Sequence, residues 1–540
     1  MTRTLLAALF CFFTAFHLPA QEMPRVGETI DVSIVNVDVV VTDGKGNRVR
    51  GLTKDDFEIL ENGRPQPVSN FAEYAADDPD ARVGVAGAAP AEVQREKRTF
   101  LIFFEKMQLT GFGANDITEA LKQTVADLIH PGDTVSIVYW SRWDIEHFDV
   151  GADPAKIADA LDLLNKKSKV VHFDERQQFA EEQGARKTLR DGMGGGGGMG
   201  RQQPGFPMSE DGMGPILPMQ LAYNEMMLRV AAINAAINSI AGIDGKKILL
   251  LAARRLGDVA GAEFIYHDGV QVVPAHLRSN YSTGRLLGSI VDNANAAGIT
   301  IYPVYAPGLE GVGSGADLQT LMNEKFSLSR IARDTGGLFA AGPADVVKLL
   351  PRIASDADNY YSLAYRVHSD GTDRARNIAV KVRNPEYEVR TRTQFVEKSD
   401  DTRMRDRLKA ALFRSTPDSQ IAISVQAGKA KRGRRTATVP VAVKIPIRQL
   451  TMLQEGAKKH VGRFSVYIGV ATELNELSDV TQKTQPFEVT AAQLKKALAS
   501  HFTYEMDVQV TNRSKYLAVA VLDELGRTYG LQRIELEQKK

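Results

Sequence analysis

The residues best placed to do chemistry in this 540-residue chain stand at the ends of two short apolar runs. Glu105 follows 99–104 (TFLIFF), with Gln108 and Thr110 close behind; Arg254 and Arg255 follow 248–251 (ILLL) and two alanines. Each run reads as a buried parallel strand, and open α/β sheets bind ligands outside the carboxyl ends of their strands. A carboxylate on one strand end and a guanidinium on another can pair, or the carboxylate can serve a hard cation. Trp140 and Trp143 flank Ser141-Arg142 after the run 134–139 (TVSIVY), on the same edge. Aromatics beside arginine are typical of recognition surfaces, although tryptophan is as often packed away. A dense basic run, Lys429, Lys431, Arg432, Arg434 and Arg435, suits anionic envelope polymers or lipid headgroups, or is a solvated hairpin tip.

Catalytic signatures are missing from the sequence. The 9 histidines are scattered, with no His-Glu-x-x-His and no two at helical i, i+4 spacing, so zinc hydrolysis lacks its pattern. There is no Gly-x-Ser-x-Gly elbow. His267, Asp268 and His276 could be imagined as a catalytic group but read as ordinary loop residues. The glycines at 194–198 follow no strand and precede no Gly-Lys-Ser/Thr, so they are not a phosphate loop.

The elements that must position the strand ends come from the patterning. A basic start, an apolar run and Leu18-Pro19-Ala20 make 1–20 a secretory signal peptide cleaved near Ala20, which implies export to the periplasm or beyond. Cys11 is the only cysteine, so the mature chain forms no disulfide. No later run approaches the ~18 apolar residues of a membrane span, and a net charge of +1 gives no global argument for nucleic acid as a partner, so none is expected. Alternation over 32–42 (VSIVNVDVVVT) and the turns that follow make 26–75 a small β module, with 76–97 a linker. From 98 to 358 strands and helices alternate, interrupted by a Gly/Met-rich insertion at 166–218 that can bury little. That pattern implies a doubly wound, mainly parallel sheet. Strands return at 359–398, a short helix spans 403–412, and β-like alternation continues to the end, so 403–540 reads as a β-sandwich of immunoglobulin-like type.

The central unit resembles a von Willebrand factor A domain. His130-Pro131-Gly132-Asp133-Thr134-Val135-Ser136-Ile137-Val138 is similar to the approach to its second strand, and Ile331-Ala332-Arg333-Asp334-Thr335-Gly336-Gly337-Leu338-Phe339 to the approach to its last. More narrowly, Val37–Asp43, Leu52–Ile59 and Asn359-Tyr360-Tyr361-Ser362-Leu363-Ala364-Tyr365 are similar to the VWFA-related proteins of Acidobacteria. The resemblance implies a Rossmannoid sheet flanked by the small β module and the β-sandwich. Members that bind metal end their first strand in Asp-x-Ser-x-Ser, add a threonine from a second loop and an aspartate after the fourth strand. Here those positions hold Glu105, Met107 and Leu109; Thr110 is one residue out of register, and Arg254 stands near the fourth-strand aspartate. Too few hard oxygen ligands remain for Mg²⁺, so the resemblance implies a degenerate metal site; Arg254 can pair with Glu105 in place of the ion, or the two are exposed rim charges that never meet.

The expectation is therefore an exported, non-enzymatic protein with no cofactor and no metal. It would bind a protein partner in the cell envelope through Glu105, Gln108, Thr110, Trp140, Trp143, Arg254 and Arg255. The alternatives are a hydrolase of envelope polymers, which lacks a visible acid/base pair, and a structural subunit that assembles through its β modules.

Overall fold

The computed structural model describes residues 32–75, 97–105, 112–141, 144–169, 216–262, 266–267, 270–271, 273–305, 315–368, 371–413, 419–433, 436–456, 458–472 and 477–536. In chain order the first elements are β1 (Val32–Thr42), β2 (Phe57–Glu61), β3 (Arg64–Gln66) and β4 (Asn70–Ala75). The central stretch contains β5 (Arg98–Glu105), α1 (Phe112–Leu128), β6 (Thr134–Ser141), β7 (Asp144–Asp149), α2 (Pro154–Lys169), α3 (Ile216–Ala241) and β8 (Lys246–Ala253). It continues through β9 (Tyr266–His267), β10 (Val270–Gln271), α4 (Ala275–Asn280), α5 (Gly284–Ala297), β11 (Ile299–Tyr305), α6 (Gly315–Thr335) and α7 (Pro343–Asp358).

The molecule is mixed α/β, and its centre is a five-stranded, parallel-rich sheet in the order β11-β8-β5-β6-β7. Only β7 runs antiparallel, folding back on β6. All eight residues of β5 are buried, because helices cover both faces. Strand alternation sorts its side chains. Phe100, Ile102 and Phe104 pack with α1, α2 and α7, whereas Leu101 and Phe103 pack with α3, α5 and α6.

The amino end of β5 is tied down by Arg98. Its Nε donates to Asp133 Oδ1 at 3.1 Å, its Nη1 to Asp358 Oδ1 at 2.6 Å and its Nη2 to the Leu128 carbonyl at 3.0 Å. Asp133 also accepts the His130 backbone N–H at 2.8 Å, which closes the turn between α1 and β6.

After α7 come β12 (Asn359–His368), β13 (Ala375–Val382), β14 (Glu388–Arg390) and β15 (Gln394–Val396). The sequence places 26–75 and 359–398 in separate segments, but the structure pairs them. β1 runs antiparallel to β12 from Val32↔His368 to Val39↔Tyr361, β4 pairs with the other edge of β12, and β2 pairs with β13. Two four-stranded sheets result, β14-β1-β12-β4 and β15-β13-β2-β3, which close on one core of Val35, Val37, Val39, Ile59, Tyr361, Leu363 and Tyr365. The physical reason is coverage: a sheet with one apolar face must bury it against another layer.

This two-sheet body is bolted to the amino end of the central sheet. Arg390 forks onto Asp356 with two bonds of 2.8 Å. Lys246 Nζ donates to the Asp356 carbonyl at 3.0 Å and lies 3.4 Å from the Tyr360 ring centroid.

The remainder is α8 (Asp400–Phe413), β16 (Ser424–Ala427), β17 (Lys431–Arg432), β18 (Thr436–Pro446), β19 (Leu453–Glu455), β20 (Lys459–Thr472), β21 (Thr481–Thr490), α9 (Leu494–Leu498), β22 (His501–Thr511), β23 (Ser514–Asp523) and β24 (Tyr529–Glu535). Two antiparallel sheets, one centred on β18 and one on β20 and β23, share a core that includes Val441, Val443, Phe464, Val466 and Val519. Met404, Leu408 and Leu412 of α8 pack on the opposite face of the second sheet, against Tyr467, Ala518 and Ala520. The same helix reaches the central unit, where Arg407 pairs with Asp244 at 3.2 Å. No helix among the described residues is long and apolar enough to cross a membrane.

Candidate functional site at the carboxyl end of the sheet

Chain order across the sheet locates the switch point. β5 leads by way of α1 to β6 on one side, and β8 leads by way of α5 to β11 on the other. The crevice therefore opens between the carboxyl ends of β5 and β8, where ligands of open α/β sheets bind. Glu105 ends β5 opposite Trp140 of β6, and Ala253 ends β8.

Glu105 is the third member of the parity series Leu101, Phe103, Glu105, so it faces α3. On α3 the residues Met226, Val230, Ile233 and Ile237 form the stripe against the sheet, and Arg229 lies within that stripe. Arg229 Nε donates to Glu105 Oε1 at 3.0 Å and to Oε2 at 3.1 Å, and its Nη2 donates to Oε1 at 2.7 Å. A second carboxylate, Glu225 one turn earlier, accepts from Nη2 at 3.0 Å. Both side chains of the fork are 3% exposed, so the pair is buried rather than a rim contact. Burial by itself would depress the guanidinium, but Glu105 and Glu225 outweigh it and hold the Arg229 pKa above the ordinary arginine value; the positive charge of nearby Arg255 opposes them.

The sequence offers Arg254 as one possible partner for Glu105, and the structure shows Glu105 paired with Arg229. In β8, Leu249, Leu251 and Ala253 face α3, whereas Ile248, Leu250 and Ala252 face α1. Arg255 follows with a φ of 54°, the left-handed region seldom used by a residue with a Cβ. Arg254 and Arg255 are both half-buried just past the end of β8.

For Trp140, which the sequence left between recognition and packing, the structure shows the packed alternative. It is 7% exposed and walls the ion pair, with the Arg229 guanidinium carbon 5.9 Å from its ring centroid. Its ring is packing, not an offered recognition surface. Gln108, Thr110 and Trp143, like Met107, Leu109 and Asp268, lie outside the described residues.

Sequence reasoning passed over Arg229, yet a signal was there: Glu225 and Arg229 are the only charged residues in the 26-residue helix 216–241, and they stand four apart. Among the described residues no group of three or more His, Cys, Asp or Glu side chains is arranged to hold a metal ion. A dication at Glu105 would have to displace a guanidinium from both carboxylate oxygens. What the arrangement does chemically is neutralise and fix the strand end.

Away from this edge, Lys429 and Lys431 are exposed near the tip where β17 turns toward β18. The side chain of Arg432, and Arg434 and Arg435, lie outside the described residues. His276 is exposed on α4.

No protein-family model matches the chain, and no curated protein matches it. Among solved structures, an aerotolerance-related membrane protein from Bacteroides fragilis aligns with 48% of this chain and 98% of its own, at 9% identity and a TM-score of 0.22. A β-glucuronidase from Bacteroides uniformis aligns over 33% of this chain and 19% of its own, at 9% identity and a TM-score of 0.14. A β-glucosidase from Kluyveromyces marxianus aligns over 57% and 33%, at 10% identity and a TM-score of 0.13. Superpositions this loose carry no argument about what this chain does.

Proposed function

We propose that this is an exported, non-enzymatic protein of the cell envelope that binds a protein partner, or serves as a scaffold, through the carboxyl end of its central sheet without a metal ion. In this reading the helix-clad sheet is a Rossmannoid, von Willebrand factor A-like domain, and the C-terminal pair of sheets is an immunoglobulin-like β-sandwich. The single observation that carries the proposal is the buried Glu105–Arg229 fork at the switch point. A side-chain cation stands against the carboxylate that such a domain would give to a dication, so the edge is charged and rigid without an ion. The distribution of the other contacts favours the same edge: Arg98, Asp356 and Lys246 commit the amino end of the sheet to internal joints. Contacts to a partner then fall to rim groups such as Arg254 and Arg255.

The test is capture of envelope proteins by the tagged, signal-free protein, with and without EDTA. The proposal expects a specific partner that is retained in EDTA and lost on Arg254→Glu with Arg255→Glu. Loss of that partner on chelation would overturn the metal-free reading, and retention by the double variant would move the surface elsewhere.

A further inference from the structure

A solvent-open cleft of about 850 Å³ lies beside the first half of α3. Tyr223 of α3, Arg278, Ser279 and Asn280 of α4, Ser282, and Arg285 of α5 line it. Its volume falls within the roughly 300–1,000 Å³ of small-ligand pockets. Because α5 feeds β11 from its amino end, the start of α5 and the cleft sit at the carboxyl end of the sheet. Tyr223 precedes Arg229 by six residues on one helix, about 9 Å along its axis.

Two arginines stand on this cleft. Elsewhere Arg98, Arg229, Arg376, Arg390 and Arg405 each meet a carboxylate. Among the described residues Arg278 and Arg285 meet none, and no carboxylate lines the cleft. Two guanidiniums that share a cavity with no counter-charge form a donor-rich, positive site, and the planar fork of arginine matches carboxylate and phosphate oxygens. The tyrosine and serine hydroxyls and the asparagine amide add neutral donors. The corner that carries Ser282 and Arg285 is held in place beforehand. Thr283 is fully buried, its backbone N–H donates to the Asp258 carbonyl at 3.0 Å and its hydroxyl to the Gly257 carbonyl at 2.5 Å, while Ala260 N–H donates to the Tyr281 carbonyl at 3.0 Å.

We propose that this cleft is an oxyanion-binding site that takes a ligand bearing phosphate or carboxylate groups between Arg278 and Arg285. None of these residues belongs to the Glu105–Arg229 fork, so the site stands or falls apart from the partner-binding reading.

Calorimetric titration of the protein with inorganic phosphate and, separately, with glutarate tests it, with ionic strength held constant by sodium chloride. The expected result is saturable binding of at least one probe, weakened at least tenfold in Arg278→Gln with Arg285→Gln. Phosphate alone would mark a phosphorylated ligand and glutarate alone a carboxylated one. Both arginines are exposed and make no internal ion pair, so the variant keeps the wild-type melting temperature without ligand. Absence of saturable binding by either probe, or equal binding by the variant, would overturn the proposal.

Discussion

Strand β5 carries a buried charge at each end, and the two ends are built in opposite senses. At its start the strand supplies the cation, Arg98, and the acids come from a turn and a helix end, Asp133 and Asp358. At its finish the strand supplies the acid, Glu105, and the cation comes from the middle of a helix, Arg229. Parity sends the two to opposite faces, Arg98 toward α1 and α7 and Glu105 toward α3. The amino-end network has several independent members, including His130, whose Nε2 lies 3.2 Å from Asp358, and it lies among the joints to the two-sheet body. The carboxyl-end fork has one acid from the sheet and opens toward the crevice. Similar ion-pair chemistry thus closes one end of the sheet and shapes the other, and the difference lies in what surrounds each pair.

Substitutions can break that contrast. Removing one partner of a buried pair leaves an uncompensated charge, at a cost of about 3–5 kcal/mol. Arg98→Met strands two carboxylates and should give the largest loss, at the upper end of that range, read as a fall in the denaturation midpoint. Arg229→Met strands Glu105 and should cost about 3 kcal/mol. The sharper comparison is rescue. Glu105→Leu in the Arg229→Met background should recover most of the loss, since apolar replacement of a whole buried pair is often close to neutral. No single second substitution should rescue Arg98→Met, because its two acids come from separate segments.

A smaller effect belongs to neither end. His147 of β7 stacks on Phe413 of α8 with ring centroids 4.9 Å apart, and burial pushes its imidazole down to about 4 from an ordinary 6.5. The unfolded chain takes up this proton below pH 6.5 while the folded chain does not. The stabilisation is therefore complete above pH 6.5 and is lost as the pH falls toward 4. His147→Phe should flatten that acid limb in melts between pH 7 and 4 and leave stability at pH 7 nearly unchanged. Smallest of all, Glu225→Gln removes the outer, quarter-exposed partner of Arg229 and should cost about 0.5 kcal/mol.

The strands that end at Glu105 and Ala253 were legible because continuous apolar runs bounded by polar residues mark buried parallel strands. The helix-covered sheet followed from the alternation of elements. Three features were not legible. The pairing of β1 with β12 joins residues more than 300 apart, and no local pattern reports such a contact. Strand β21, TQKTQPFEVT, is polar and mostly exposed, so it shows no apolar alternation to read. The Glu105–Arg229 fork depends on how α3 is rotated against the sheet, which is a tertiary property. The identity of the acid and its place at the strand end were readable; the arginine that meets it was marked only by being half of a lone charged pair on an otherwise uncharged helix.

The central proposal is that Glu105 is neutralised by the Arg229 guanidinium and not by a dication. Calorimetric titration of the wild-type protein with Mg²⁺ and Mn²⁺ tests it most directly, with Arg229→Gln alongside to show whether vacating the guanidinium opens the site. The account predicts no saturable heat for either ion with the wild type. Saturable binding by the wild type that is abolished by Glu105→Gln would contradict it.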